Sequence, residues 1–140
     1  MKESWRCLAR VSGALATRDP RRIRQEIEIA AAACEVDELE EILLQSYLFL
    51  GYPAALGGLA IWRELSGRDA SLSQDEPGND WSKRGEALCR RVYGTQYEAL
   101  RKNVAALHPS LDRWMVTEGY GRVLGRPGVP FEVREMSIVA

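Results

Sequence analysis

His108 is the only histidine of this 140-residue chain. It lies in His108-Pro109-Ser110, just ahead of an expected helix. To act as a general acid or base it needs an acidic or polar partner in a pocket; otherwise it is a solvent-facing residue of an interhelical loop. The cysteines, Cys7, Cys34 and Cys89, are odd in number and far apart. They form no CxxC redox pair and no zinc-binding spacing, so they read as small buried hydrophobes and no metal is expected. Arg126 stands in an Arg-Pro-Gly turn. Its planar guanidinium could take a carboxylate through two parallel hydrogen bonds, or it could fix the loop through a salt bridge. Tyr120, with Tyr47, Tyr52, Trp62 and Trp114, could line a small-molecule pocket or simply fill the core. Arg18, Arg21, Arg22 and Arg24 form either an anion site or a solvated helix face paired with Glu26 and Glu28.

These residues need a scaffold, and the composition supplies one. An apolar share of 46% in a chain of this length suits one domain with a real core. The formal net charge of −1 gives no reason to expect nucleic acid or a membrane surface as partner. No apolar run approaches the roughly 20 residues that span a bilayer. The opening Met1-Lys2-Glu3-Ser4-Trp5-Arg6 lacks the apolar stretch of a secretory signal, so a cytoplasmic location is expected.

The pattern predicts an all-α protein. Trp5, Leu8, Val11 and Leu15 stripe a first helix over about Glu3 to Thr17. Asp19-Pro20 caps and opens a second, striped by Ile23, Ile27, Ala30, Ala31 and Cys34. Asp37 is expected to cap a third. Its apolar residues (Leu39, Ile42, Leu43, Tyr47 and Leu50, with Leu44, Leu48 and Phe49) lie nearly all round, so this helix should be central. Gly51 should end it and Pro53 begin a fourth, rich in small residues from Ala54 to Ala60. Ser66 to Asp80 reads as a polar linker. Further helices are expected at about Trp81–Tyr93, Gln96–Ala106 and Leu111–Leu124, then a loop, then a helix start at Glu132–Ala140. The division implied is 1–66, a linker at 67–80, and 81–140.

Several stretches resemble the carboxymuconolactone decarboxylase family, which includes alkylhydroperoxidase D-like proteins. Glu38-Leu39-Glu40-Glu41-Ile42-Leu43-Leu44-Gln45 followed by Gly51-Tyr52-Pro53-Ala54-Ala55-Leu56 resembles the family's C-terminal signature. Lys83-Arg84-Gly85 with Tyr93-Gly94 is similar to its opening helix. Glu118 to Val129, containing Arg126-Pro127-Gly128, and Val133-Arg134-Glu135-Met136 resemble its "yGevwxRPGL" and "xTRELxxLA" segments. Their order is inverted relative to a plain family member. This implies either a complete module followed by the lead-in of a second, or a permutation in which residues 81–140 pack back on the first half or on a neighbouring chain.

The resemblance implies a helical bundle of the alkylhydroperoxidase D-like type and a homo-oligomer, since family members commonly assemble through central helices. The family's peroxidase branch uses a glutamate, a CxxC pair and a histidine as a proton relay; its decarboxylase branch uses a histidine with nearby polar groups. The aligned positions carry Gln25 for the histidine, Arg6 for the glutamate, and Arg18 and Arg21 for the cysteines. Glutamine hydrogen-bonds but is no base near neutral pH. Glu135 matches the family glutamate of the second segment, and also reads as an ordinary acid at a helix N-terminus. The expectation is therefore a cofactor-free lyase acting on a small carboxylated lactone or keto acid. Arg126 and Tyr120 would bind this carboxylate substrate, and Glu135 or His108 would move the proton. The alternative is a non-catalytic oligomeric binding or assembly module that has kept the fold and lost the active site.

Overall fold

A computed structural model describes residues 2–70 and 78–140. No strand occurs among them. The order is α1 (Glu3–Thr17), α2 (Pro20–Ala33), α3 (Val36–Leu50), α4 (Tyr52–Ser66), α5 (Gly78–Tyr93), a 3-10 turn (Gly94–Gln96), α6 (Tyr97–Leu107), α7 (Pro109–Trp114), a π-helix (Met115–Leu124) and α8 (Phe131–Val139). The chain divides into two compact units, Met1–Leu72 with Pro127–Ala140, and Ser73–Arg126.

The first unit gathers α1 to α4 and α8. The expected stripe of α1 delivers Leu8, Val11 and Leu15 to full burial, with Trp5 at the edge. They meet Ile27 of α2, Leu39, Ile42 and Leu43 of α3, and Val133 of α8 in one core. Fully burying each such side chain contributes about 1.5–3 kcal/mol. Two corners join the antiparallel pairs. At the first, Arg18 takes a left-handed φ of 57° and its N–H returns to Leu15 O, after which the Asp19 carboxylate accepts from Arg21 N at 3.0 Å. At the second, Gly51 adopts φ 81°, a region open to glycine but costly for a side chain, and Pro53 follows in the first turn of α4. Ala16 near the end of α1 lines one small cavity with Phe49 and Leu50 at the end of α3, so both corners lie at the same end of this unit.

Several expectations change. α3 begins at Val36 with Glu35 as its cap position and no side-chain cap, so Asp37 sits in the first turn, where its charge still favours the helix dipole. The helix is not buried all round: Leu44 and Phe49 are exposed, while Gln45 and Ser46 are buried. On α2, Ala31 faces solvent although Ile23, Ile27 and Ala30 are buried. Of the Ser66 to Asp80 linker, 71–77 lie outside the described residues, and α5 starts at Gly78 rather than Trp81. The last helix does not stay with residues 81–126. It packs on α1 and α3 of the same chain, because Val133 and Arg134 have burial partners there.

In the second unit α5 lies against the π-helix at backbone contact. A Cβ on Gly85 would overlap Val116 O, and one on Gly121 would overlap Trp81 O. The expected Leu111–Leu124 helix starts instead at Pro109 and widens to the π form after Trp114. π-Helices are rare and short, and this ten-residue one carries both Gly119 and Gly121 in its buried face. Arg84 Nε donates to Gly121 O at 2.7 Å, and the Arg122 guanidinium sits 4.8 Å from the Trp81 ring centroid.

Candidate functional site

The strongest polar feature of the first unit is a guanidinium inside its core. Arg134 of α8 is 0% exposed. Its Nη2 donates to Glu41 Oε2 at 2.9 Å and to Pro127 O at 3.1 Å, and its Nη1 donates to Gln45 Oε1 at 3.2 Å. Gln45 Nε2 returns a bond to Arg134 O at 3.1 Å. Glu41 and Gln45 are one helical turn apart on α3, so both reach the same partner. The turn at Gly128, with φ 95°, brings the Pro127 carbonyl to the third contact. A buried ion pair is sustained only when such extra bonds satisfy it.

Beside this cluster lies a cavity of about 50 Å³, lined by Ser12, Gln45, Ser46 and Ser137 among apolar groups including Phe49 and Ile138. The Ser46 hydroxyl donates to Leu43 O at 2.7 Å. These hydroxyls and the amide can hydrogen-bond a small guest, but none of the side chains lining the cavity titrates near neutral pH.

A second ionic lock joins α3 to α4. Glu40 accepts from Trp62 Nε1 at 2.9 Å and from both terminal nitrogens of Arg63 at 2.7 and 3.0 Å. The Arg63 guanidinium holds the Glu40 carboxyl below its ordinary range. Arg101 of α6 does the same in the second unit, pairing with both oxygens of Asp112 and donating to Tyr97 OH at 2.7 Å.

The four candidate site residues fall in different places. Glu135, half-buried on α8, belongs to the first unit, and burial pushes its carboxyl above the ordinary range. His108, Tyr120 and Arg126 belong to the second unit. His108 is exposed, and its Nδ1 accepts from Ser110 N at 3.0 Å, which makes it the cap of α7. The Tyr120 ring is buried and its hydroxyl is 2.8 Å from that of Tyr93, the rings meeting edge-on. Arg126 is half-exposed and its backbone N–H donates to Val123 O. Gln25, at the position aligned with the family histidine, is exposed. Burial pushes the Cys34 and Cys89 thiols up to about 11, so both stay protonated and unreactive near neutral pH. No metal-binding group of histidines, cysteines and carboxylates occurs among the described residues.

Sequence reasoning passed over Arg134 in favour of its neighbour Glu135. The signal was present: Gln45 stands inside the uncharged Ile42–Leu50 run with Glu41 one turn before it on the same side, and a polar pair so placed needs a buried partner. No known protein family, curated protein or solved structure matches this chain. No described helix is long and apolar enough to cross a membrane.

Proposed function

We propose that this is a carboxymuconolactone decarboxylase-like helical protein that works as a non-catalytic oligomeric assembly or binding module. The Glu41–Gln45–Arg134–Pro127 cluster carries this reading. Within the first unit it joins three of the stretches that bear the resemblance: the Glu38–Gln45 helix, the Pro127-Gly128 end of the Arg-Pro-Gly segment and the Val133–Met136 segment. Such convergence suits a single module whose parts come in altered order and associate in cis. Its polar groups are spent on holding helices together: Arg134 on α3, His108 on capping, Tyr120 on Tyr93. A face for assembly exists on α4, where Gly57 and Ala60 are exposed and a Cβ on Gly57 would meet nothing within 4 Å.

One observation favours cofactor-free decarboxylation as a second reading. Loss of CO₂ from a small carboxylated lactone or keto acid leaves a carbanion that needs a proton. A carboxyl with a raised pKa, such as Glu135, holds one nearer neutral pH. Light scattering on a sizing column, with a CO₂-release assay on the same sample, separates the two. A closed oligomer without turnover is expected. Turnover that Glu135→Gln abolishes while the helical circular dichroism persists would replace the assembly reading with the lyase reading.

A further inference from the structure

The net charge of −1 hides an electrical asymmetry in the first unit. At the end where the two corners turn, Arg18, Arg21 and Arg22 are exposed and enter no ion pair among the described residues. Asp19 lies between them, its carboxylate engaged in capping α2. At the same end the α3–α4 corner exposes Phe49 (46%), Tyr52 (66%) and, one turn along, Leu56 (63%). From Ile42 to Ile61 the chain has no charged residue. The acids lie at the opposite end, where Glu3, Glu35, Asp37 and Glu38 open α1 and α3, Glu64 closes α4 and Glu132 opens α8. Cations occur on that side as well: Arg6 and Arg63 are paired with Glu3 and Glu40, and Lys2 and Arg68 are exposed, so the acids outnumber them there without excluding them.

We propose that the arginine-and-aromatic end of the first unit docks on an anionic phospholipid surface. Tyr52 would sit at the boundary between headgroups and acyl chains, where an amphipathic aromatic keeps its ring buried and its hydroxyl wet, and Phe49 and Leu56 would bury apolar surface beside it. Arg18, Arg21 and Arg22 would face the lipid phosphates, each adding attraction to a negatively charged leaflet. Nucleic acid would use the arginines but give the aliphatic Leu56 nothing to bury against. A second copy presenting its acidic end would also serve the arginines, yet the large apolar side chains exposed in this unit lie on α3, on α4 and at the end of α8, so that acidic end offers Tyr52 and Leu56 no apolar match. The inference competes with the assembly reading above for α4, since Leu56 lies beside Gly57 and one turn from Ala60, and the third outcome below separates the two.

The test is sedimentation of the full chain with vesicles of phosphatidylcholine alone and of phosphatidylcholine containing phosphatidylglycerol. Binding is expected only to the anionic vesicles and should weaken steeply with salt. Replacing the three arginines together (R18Q, R21Q, R22Q) should weaken it about a hundredfold, at about fivefold per arginine. Tyr52→Ser with Leu56→Ser should also weaken it. Both sets alter exposed side chains, and an unchanged circular dichroism melt would verify the fold. Three outcomes overturn the proposal. The first is equal or no binding to the two vesicle types. The second is heparin binding as tight as vesicle binding and indifferent to the Tyr52 and Leu56 changes. The third is a dimer in light scattering that Tyr52→Ser disperses.

Discussion

In the first unit α1, α3 and α8 meet through side chains: Leu8, Val11, Leu39, Ile42, Leu43 and Val133, with the Arg134 guanidinium among them. In the second, α5 and the π-helix meet where Gly85 faces Val116 O and Gly121 faces Trp81 O. One contact is a volume filled by branched chains around a paired charge. The other is two backbones in touch, with hydrogen atoms where side chains would stand. The two should fail in opposite ways. A core of the first kind is broken by taking a partner away, and one of the second kind by adding a methyl group.

The largest effect expected is therefore a removal. Arg134→Met leaves the Glu41 carboxylate facing the space that the guanidinium filled, and should destabilise the first unit by about 3–5 kcal/mol. The double variant Glu41→Leu with Arg134→Met removes both charges and should recover most of that loss, since a buried pair replaced by apolar groups is often neutral. A urea-unfolding double-mutant cycle reads the coupling. Equal losses in the single and the double variant would show that Arg134 acts through its volume and not its charge. Residue-level hydrogen exchange should leave the α5 amides unaffected, which keeps the effect to one unit.

The second effect is an addition. Gly121→Ala must push α5 off the π-helix, because the new methyl meets the Trp81 carbonyl and no flexible side chain is there to yield. A loss of about 3 kcal/mol in the second unit is expected, seen as accelerated exchange of α5 amides. Exchange like that of the parent protein would mean the backbones separate at little cost, and the contrast between the units would fall.

How much of this could be read beforehand differs by region for the same physical reason. The stripe of α1, the Asp19-Pro20 corner and the Gly51-x-Pro53 corner were all legible, because periodicity and turn chemistry are local properties. α8 was legible as a helix but not in its partner: whether Val133 and Arg134 bury against α1 and α3 depends on a contact about ninety residues away. The π-helix was not legible. Met115 to Leu124 has ordinary helical periodicity, and the wider turn goes with a backbone contact that only tertiary packing reveals. Among the candidate site residues, chemical type pointed to His108 and Tyr120. Their actual partners, the Ser110 amide and the Tyr93 hydroxyl, show that a reactive group in sequence is often a structural one in the fold. Charge behaved similarly. A whole-chain sum near zero concealed three exposed arginines at one end of a bundle and an excess of acids over cations at the other.

The smallest effect sharpens the comparison within a single helix. Gly57 and Gly58 are neighbours on α4, so they share helix propensity and differ only in what surrounds them. A Cβ on Gly58 would come 2.7 Å from Leu15 Cδ2 and 3.2 Å from Leu43 Cδ2, both ends of side chains that can rotate, whereas one on Gly57 meets nothing within 4 Å. Alanine in place of glycine inside a helix gains about 1 kcal/mol from reduced backbone freedom. Gly57→Ala should therefore raise stability by about 1 kcal/mol, unless an oligomer closes over that face and the methyl obstructs it. Gly58→Ala should lose about 1 kcal/mol net, the helix gain being outweighed by displacing Leu15 and Leu43 from a filled core. Thermal melts of the two variants at several protein concentrations separate the terms. A gain at Gly57 that holds at every concentration speaks against assembly through this face, whereas a gain that vanishes as concentration rises places the subunit contact on α4.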